Sequence, residues 1–314
     1  MKVSVIVPTY NEEEYLPKIL DCLKSQTMDP DEYEIIVADA DSDDRTPEIA
    51  REYGAKVVPG GMPAEGRNAG AEVAVGDYFF FFDADVKFSR DFLENAYNEM
   101  QERFVDVATC EVRPLSNVPL DRMMHDFANL YVRLNQYTNP MAPGYCILIT
   151  SRLYHRVGGF NTDITLAEDF DLIRRAAKLR PFRVLDSVHI TVSVRRYRKE
   201  GRLAFIGHSL AVSWHRTFKG EIKGDIDYEF GDFSVSKDDK GLRKLERRIN
   251  KLARRLQRMS RKNRSGGAEP DEKQTRSYEQ LQTRLKELYE RFQSGTSNVR
   301  SGSDGRSDDS GAES

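Results

Sequence analysis

Residues 79–82 are four consecutive phenylalanines, preceded by Tyr78 and followed at once by Asp83-Ala84-Asp85. An unbroken aromatic run leaves no side to face water, so it reads as a short strand covered on both faces. Such strands belong to largely parallel sheets with helices above and below, which take their ligands at the carboxyl ends of the strands. Asp83 and Asp85 stand at that end. In an extended chain, side chains at i and i+2 point the same way. Two acids so placed repel each other unless a cation lies between them or water solvates them. An oxygen-only pair with no Cys or His beside it suits Mg²⁺ or Mn²⁺. The plain alternative is an acidic turn after a strand.

The surrounding pattern supplies the rest of that sheet. Val3–Val7, Glu34–Asp39 and Lys56–Val58 read as further strands, separated by helical stretches at Glu12–Gln26, Asp44–Tyr53 and Ala64–Val75. Thr46-Pro47 looks like a helix start, with proline in the first turn. Strand–helix–strand alternation predicts right-handed crossovers and an α/β fold. Beyond it, Asp106–Val112 and Tyr145–Thr150 are expected strands around a helix near Leu120–Tyr137. A helix at Ala167–Lys178, strands at Phe182–Leu185 and Val188–Val194, and an amphipathic helix at Glu200–Phe218 complete this part.

Polar residues gather where ligands are expected. Pro8-Thr9-Tyr10-Asn11-Glu12 ends the first strand, and Asp39-Ala40-Asp41-Ser42-Asp43-Asp44 ends the second. Asn11 and Asp39 suit the edge of a base, where a carboxylate accepts a ring N–H; Asn11 and Asp43 or Asp44 read equally as helix caps. Glu65-Gly66-Arg67-Asn68-Ala69-Gly70 puts Arg67 and Asn68 at an expected helix start, suited to a phosphate or to a structural turn. Downstream, Glu168, Asp169 and Asp171 open a helix whose dipole favours acids, and one of them suits a general base toward a hydroxyl.

Taken together, these clusters resemble the inverting family 2 glycosyltransferases of the GT-A nucleotide-sugar fold. The matching text is Val5-Ile6-Val7-Pro8-Thr9-Tyr10-Asn11-Glu12, Asp39-x-Asp41-Ser42-x-Asp44, Gly66-Arg67-Asn68-x-Gly70, Asp83-x-Asp85, Val157-Gly158-Gly159-Phe160 and Glu168-Asp169-x-Asp171-Leu172. It runs in family order from residue 1 to about 200. The resemblance implies a nucleotide-diphosphate sugar donor, with Pro8, Thr9, Asn11 and Glu12 at the nucleotide, Asp39 on the base and Arg67 near it. It implies Asp83 at the ribose or metal, Asp85 on a Mg²⁺ or Mn²⁺ ion bridging the diphosphate, Asp169 as catalytic base and Glu168 seating the acceptor. Processive relatives carry a Gln-x-x-Arg-Trp motif; Ser193-Val194-Arg195-Arg196-Tyr197 lacks its Gln and Trp, which implies transfer of a single sugar. Arg195 or Arg196 is a candidate for the diphosphate, or a solvated strand end. His189 and His208 are candidates for a further metal ligand. A non-catalytic nucleotide-sugar-binding scaffold is the alternative function.

The domain expected at 1–235 is followed by different text. Residues 1–239 hold 29 Lys+Arg against 40 Asp+Glu, whereas 240–314 hold 19 against 11. Leu242, Leu245, Ile249, Leu252, Leu256 and Met259 form a heptad seam; after a polar break, Tyr278, Leu281, Leu285, Leu288 and Phe292 repeat it. A basic helical hairpin, a coiled coil over 240–292, is the simplest reading. The Ser/Gly/Asp/Arg text of 294–314 is expected to be disordered. Basic residues crowd 240–264, twelve Lys or Arg against Glu246 alone, which suits an anionic membrane surface, or else the chain's own acidic catalytic domain or 278–292 helix. A polyprenyl-phosphate-type acceptor would make membrane placement useful. Nucleic acid is not expected, since the basic stretch lacks interleaved aromatics for stacking. With a mean hydropathy of −0.62, no segment reaches the ~18 apolar residues of a membrane span. The short apolar start does not read as a signal peptide. Cys22, Cys110 and Cys146 have no paired spacing, which argues against a disulfide scaffold and for a cytoplasmic protein, peripheral on the inner membrane face if the basic segment binds lipid.

Overall fold

The computed structural model describes residues 1–164 and 167–195. Within them, β1 (Val3–Thr9), β2 (Tyr33–Asp39), β3 (Lys56–Pro59), β4 (Tyr78–Phe82), β5 (Val86–Phe88), β6 (Val107–Pro114), β7 (Cys146–Thr150) and β8 (Phe182–Val192) build one sheet. Its order is β3-β2-β1-β4-β7-β6-β8-β5. Strands β3, β2, β1 and β4 are parallel to their neighbours. β7 runs against both β4 and β6, β8 is parallel to β6, and β5 runs against β8. The carboxyl ends of β1, β2, β4, β6 and β8 therefore share one edge with the amino end of β7.

Seven helices occur among the described residues: α1 (Leu16–Lys24), α2 (Thr46–Glu52), α3 (Pro63–Glu72), α4 (Phe92–Glu102), α5 (Pro119–Asn135), α6 (Ser151–Val157) and α7 (Glu168–Ala177). The pleat divides the phenylalanine run between two cores. Phe80 and Phe82 join Val3, Val5 and Val7 and the inner faces of α1 and α4. Phe79 and Phe81 join Ile6, Ile147 and Ile149 under α6 and α7. All four rings are fully buried, each worth about 1.5–3 kcal/mol relative to exposure. On α1, Leu16, Ile19, Leu20 and Leu23 repeat at helical spacing and form its buried stripe.

Glycine lets α3 lie directly on the sheet. A Cβ at Gly70 would stand 2.5 Å from Ile6 Cγ2, and one at Gly66 would stand 3.3 Å from Pro8 Cβ. That close approach carries Arg67, between the two glycines, to the carboxyl edge.

The expected α/β architecture is the one observed, with β4 at its expected bounds. Three differences have physical reasons. The two strands expected at 182–185 and 188–194 are one strand, β8, with a register shift opposite Cys110/Glu111 that absorbs Asp186, Ser187 and Val188. Glu99 of α4 accepts the backbone N–H of Asp186 and Ser187, at 3.0 Å and 2.8 Å, and so steadies the bulge. α4 and β5 were not expected, although Phe92, Leu93, Ala96 and Met100 recur at helical spacing and form the buried face of α4; β5, at three residues, is too short to carry a pattern. α3 begins at Pro63, so Arg67 and Asn68 lie in its second turn rather than at its start, and no free N–H awaits a phosphate beside them. The expected helix at 200–218, the hairpin, the tail, Arg196 and His208 lie outside the described residues.

Candidate active site

At the end of β1 the chain turns through Asn11, whose φ of +53° is left-handed. Asn11 N–H donates to Ser42 Oγ at 2.8 Å, and its side-chain oxygen accepts Asp43 N–H at 2.9 Å. The carboxylate of Asp39 ends β2, 8% exposed, and accepts from Thr9 Oγ1 at 2.8 Å and from Ser42 N at 2.9 Å. Thr9, Asn11 and Asp39 thus form one hydrogen-bonded cluster joining the first two strand ends, with Pro8 against α3 beneath. Glu12 lies apart from it. Its N–H donates to Thr46 Oγ1, while its carboxylate faces Arg195.

The backbone leaves strand geometry after Phe82, and Asp83 and Asp85 consequently separate toward different partners. Asp83 Oδ1 accepts Arg67 Nη2 at 2.9 Å. Asp85 Oδ2 lies 3.1 Å from Arg195 Nε. The i, i+2 geometry expected of an extended chain is not present, because residues 83–85 form a turn. Each acid retains oxygen chemistry suited to a hard divalent cation, although no group of three or more His, Cys, Asp or Glu is gathered for a metal among the described residues. His189 stands opposite Glu111 in the β6–β8 ladder, with its ring nitrogen 3.0 Å from Arg113 Nη1.

Arg67 also reaches the start of α7, where Nη1 donates to Glu168 Oε1 at 2.6 Å. Burial alone would lower the pKa of this guanidinium; Asp83, Glu168 and Asp169 more than reverse that, so it stays charged. Asp169 lies next along α7 and accepts the N–H of Phe170 at 2.8 Å. Burial and the neighbouring Glu168 push its carboxyl up to about 7, with Arg67 pulling the other way. α7 starts from Ala167 at a φ of +68°, a strained conformation for a residue with a Cβ, held at the turn that delivers both acids.

Asn68 and Asp171 take structural places. Asn68 Oδ1 accepts Tyr154 Oη at 2.6 Å and Phe160 N at 2.8 Å, and its Nδ2 donates to Phe160 O at 2.9 Å. Asp171 accepts Arg175 Nε at 2.7 Å, and the same guanidinium donates to the carbonyls of Val157 and Gly159. Gly158 and Gly159 have φ values of +79° and +69°, so this segment bends as glycine allows and is clamped from both sides. Sequence reasoning missed the use of Arg195 as a bridge, and missed Tyr15, whose ring centroid lies 4.5 Å from the Arg195 guanidinium, and Gly144, where a Cβ would stand 2.8 Å from Arg67 Nη2. Their partners are remote in the chain, and only Arg195 carried a signal, its charge just past a strand.

A sheet of this order, with acids and arginines at its carboxyl edge, has the GT-A fold of solved glycosyltransferase structures. Residues 4–158 match the family model described as Glycosyl transferase family 2. The chain is 30% identical over 138 residues to the poly(ribitol-phosphate) beta-glucosyltransferase of Bacillus spizizenii, covering 41% of this chain and 22% of that protein. Over 98 residues it is 43% identical to the 4,4'-diaponeurosporenoate glycosyltransferase of Staphylococcus haemolyticus, covering 28% of this chain and 25% of that one. The chain therefore spans about a quarter or less of the length of these two relatives. Among solved structures, the mannosyltransferase PcManGT of Pyrobaculum calidifontis, in complex with GDP-Man and Mn²⁺, superposes with a TM-score of 0.55 at 23% identity. That alignment covers 71% of this chain and 66% of PcManGT.

Proposed function

We propose that this protein transfers one sugar, with inversion, from a nucleotide-diphosphate sugar to a hydroxyl or phosphate acceptor, lipid-linked in the fullest form of the reading. The observation that carries it is the convergence of Asp83, from the end of β4, and Glu168 and Asp169, from the start of α7, on the single cation Arg67. Donor-side and acceptor-side acids are thereby presented at one edge.

In this reading the Thr9–Asn11–Asp39 cluster seats the base and Pro8 borders the ribose. Asp169 takes the acceptor proton as the new bond forms, and its pKa near 7 matches the working pH of a general base. One displacement at the anomeric carbon inverts it. Five carboxylates (Glu12, Asp83, Asp85, Glu168 and Asp169) face two guanidiniums, Arg67 and Arg195. An anionic diphosphate entering this edge meets excess negative charge, which favours a divalent cation on Asp85 and Asp83. Such an ion, Mg²⁺ or Mn²⁺, would supply charge stabilisation for the departing diphosphate.

The relatives named for glucosyl transfer to poly(ribitol-phosphate) and glycosyl transfer to 4,4'-diaponeurosporenoate support a phosphate-bearing or lipid acceptor for this chain as well. Among the described residues no helix is long and apolar enough to cross a membrane, so placement at an anionic surface rests on the basic text of 240–264. Liposome co-sedimentation of the full chain and of a version ending at Asp239 tests that placement; equal behaviour of the two rejects it.

The catalytic reading is tested with Asp169→Asn against a panel of nucleotide sugars, including GDP-mannose and UDP-glucose, with Mn²⁺ present. Donor affinity should persist while turnover falls by about 10²–10⁴. An equal loss of donor binding would make Asp169 structural instead.

A further inference from the structure

Arg67 is only 4% exposed and spends its two terminal nitrogens on acids from different elements, Asp83 after β4 and Glu168 on α7. Its plane lies over the Phe160 ring, 5.4 Å from the centroid, and its Nε is buried without a hydrogen-bond partner. From behind, Gly66 and Gly70 seat its helix on β1. From the front, Gly144 leaves it room: a Cβ there would stand 2.8 Å from Arg67 Nη2 and 3.4 Å from Asp169 Oδ2.

We infer that Arg67 is a positioning residue for the transfer reaction: its fork ties Asp83 to Glu168 and thereby fixes the place of the adjacent Asp169. The inference deepens the proposed function, resting on Asp169 as the base. A planar fork can hold two acids in fixed directions at once, which a lysine ammonium on a flexible stem does not do. Without it, Asp83, Glu168 and Asp169 would be like charges with no shared counter-ion. The groups facing Asp169 are Glu168 on its own helix, Arg67 from α3, and the backbone N–H groups of Phe170 and Gly144. Arg67 is the guanidinium that acts on that carboxyl from α3, and it stabilises the ionised form that accepts a proton.

The experiment uses the full chain, with Arg67→Lys removing the fork and Gly144→Ala displacing it while keeping its charge. Circular dichroism and thermal melts confirm folding. The readout is the carbon-13 carboxyl titration of Asp169, assigned by comparison with Asp169→Asn. Each variant should raise the Asp169 midpoint by about one pH unit, and the acid limb of GDP release from GDP-mannose with Mn²⁺ should move with it. An unchanged midpoint in the folded variants overturns the inference. Should neither variant fold, wild-type protein decides: a held fork gives separate, slowly exchanging nitrogen-15 resonances for the Arg67 Nη groups that merge in Glu168→Gln. Averaged resonances in the wild type would reject it. If Asp169→Asn keeps full turnover, the base reading fails, whereas the titration and the Nη resonances still report on Arg67 itself.

Discussion

Arg195 grips Glu12 with both terminal nitrogens, Nη1 at 2.7 Å from Oε2, across 183 residues of sequence. The same guanidinium meets Asp85 through Nε and lies 4.5 Å from the centroid of the Tyr15 ring. Burial alone would lower its pKa, and the hydrogen-bonded Glu12 and the charge of Asp85 raise it instead. One side chain after β8 therefore joins the loop after β1 to the acidic turn after β4.

Arg195→Ala should destabilise the protein by about 1–3 kcal/mol, below the cost of breaking a fully buried pair because the arginine side chain is 31% exposed. Thermal denaturation measures it, and Arg195→Lys should recover part of the loss. An unchanged melting temperature would mean that the fork holds nothing together.

Asp169 gives stability a pH dependence of definite sign. Its folded pKa, about 7, lies above the unfolded value, so the carboxyl stabilises the fold when protonated and ceases to do so as pH rises through 7. Asp169→Asn should therefore be more stable than wild type at pH 8, by on the order of 1–3 kcal/mol, and equal to it near pH 4. Denaturant melts at the two pH values decide; a gain that grows toward low pH would reverse the assignment.

Asn68 makes three hydrogen bonds to Tyr154 and Phe160 from a helix facing the sheet. Asn68→Ala should cost about 2–4 kcal/mol through unsatisfied buried groups, and Asn68→Asp should lose the Nδ2 donor selectively. The expected signature is a lowered denaturation midpoint with the denaturant slope unchanged.

Asp85→Asn should leave the protein folded yet abolish the Mn²⁺-dependent part of GDP-mannose binding, read by isothermal titration with and without the ion. Mn²⁺-dependent binding that survives at wild-type strength would remove Asp85 from the cation site.

The fold was legible where hydrophobic pattern and element coincide. Tyr78–Phe82 needed no correction, and the first three strands differ only by end residues. Long-range pairing was not legible. Nothing local distinguishes Arg195 bound to Glu12 from a basic strand end in water, and Asp186-Ser187 reads as a break unless Glu99 is known to satisfy it. The acidic motifs lie at the carboxyl edge of the sheet, where the pattern put them. The local backbone was misread where regularity was assumed: Asp83 and Asp85 meet different arginines past the end of the strand, and Arg67 lies in mid-helix because α3 starts at Pro63.

The pairing of β4 also bears on how the chain survives its own synthesis. Phe79–Phe82 gain one neighbour from β1, made long before, but the other, β7, is added some sixty residues later. During that interval an uncharged aromatic strand has one bare edge, the kind of segment that seeds intermolecular β-stacking. Asp77 and Asp83 bracket it with negative charge, a device that discourages such stacking. The aspartate that pairs with Arg67 thus guards the nascent chain as well, and replacing Asp83 with a neutral residue should lower soluble yield even where the finished fold tolerates it.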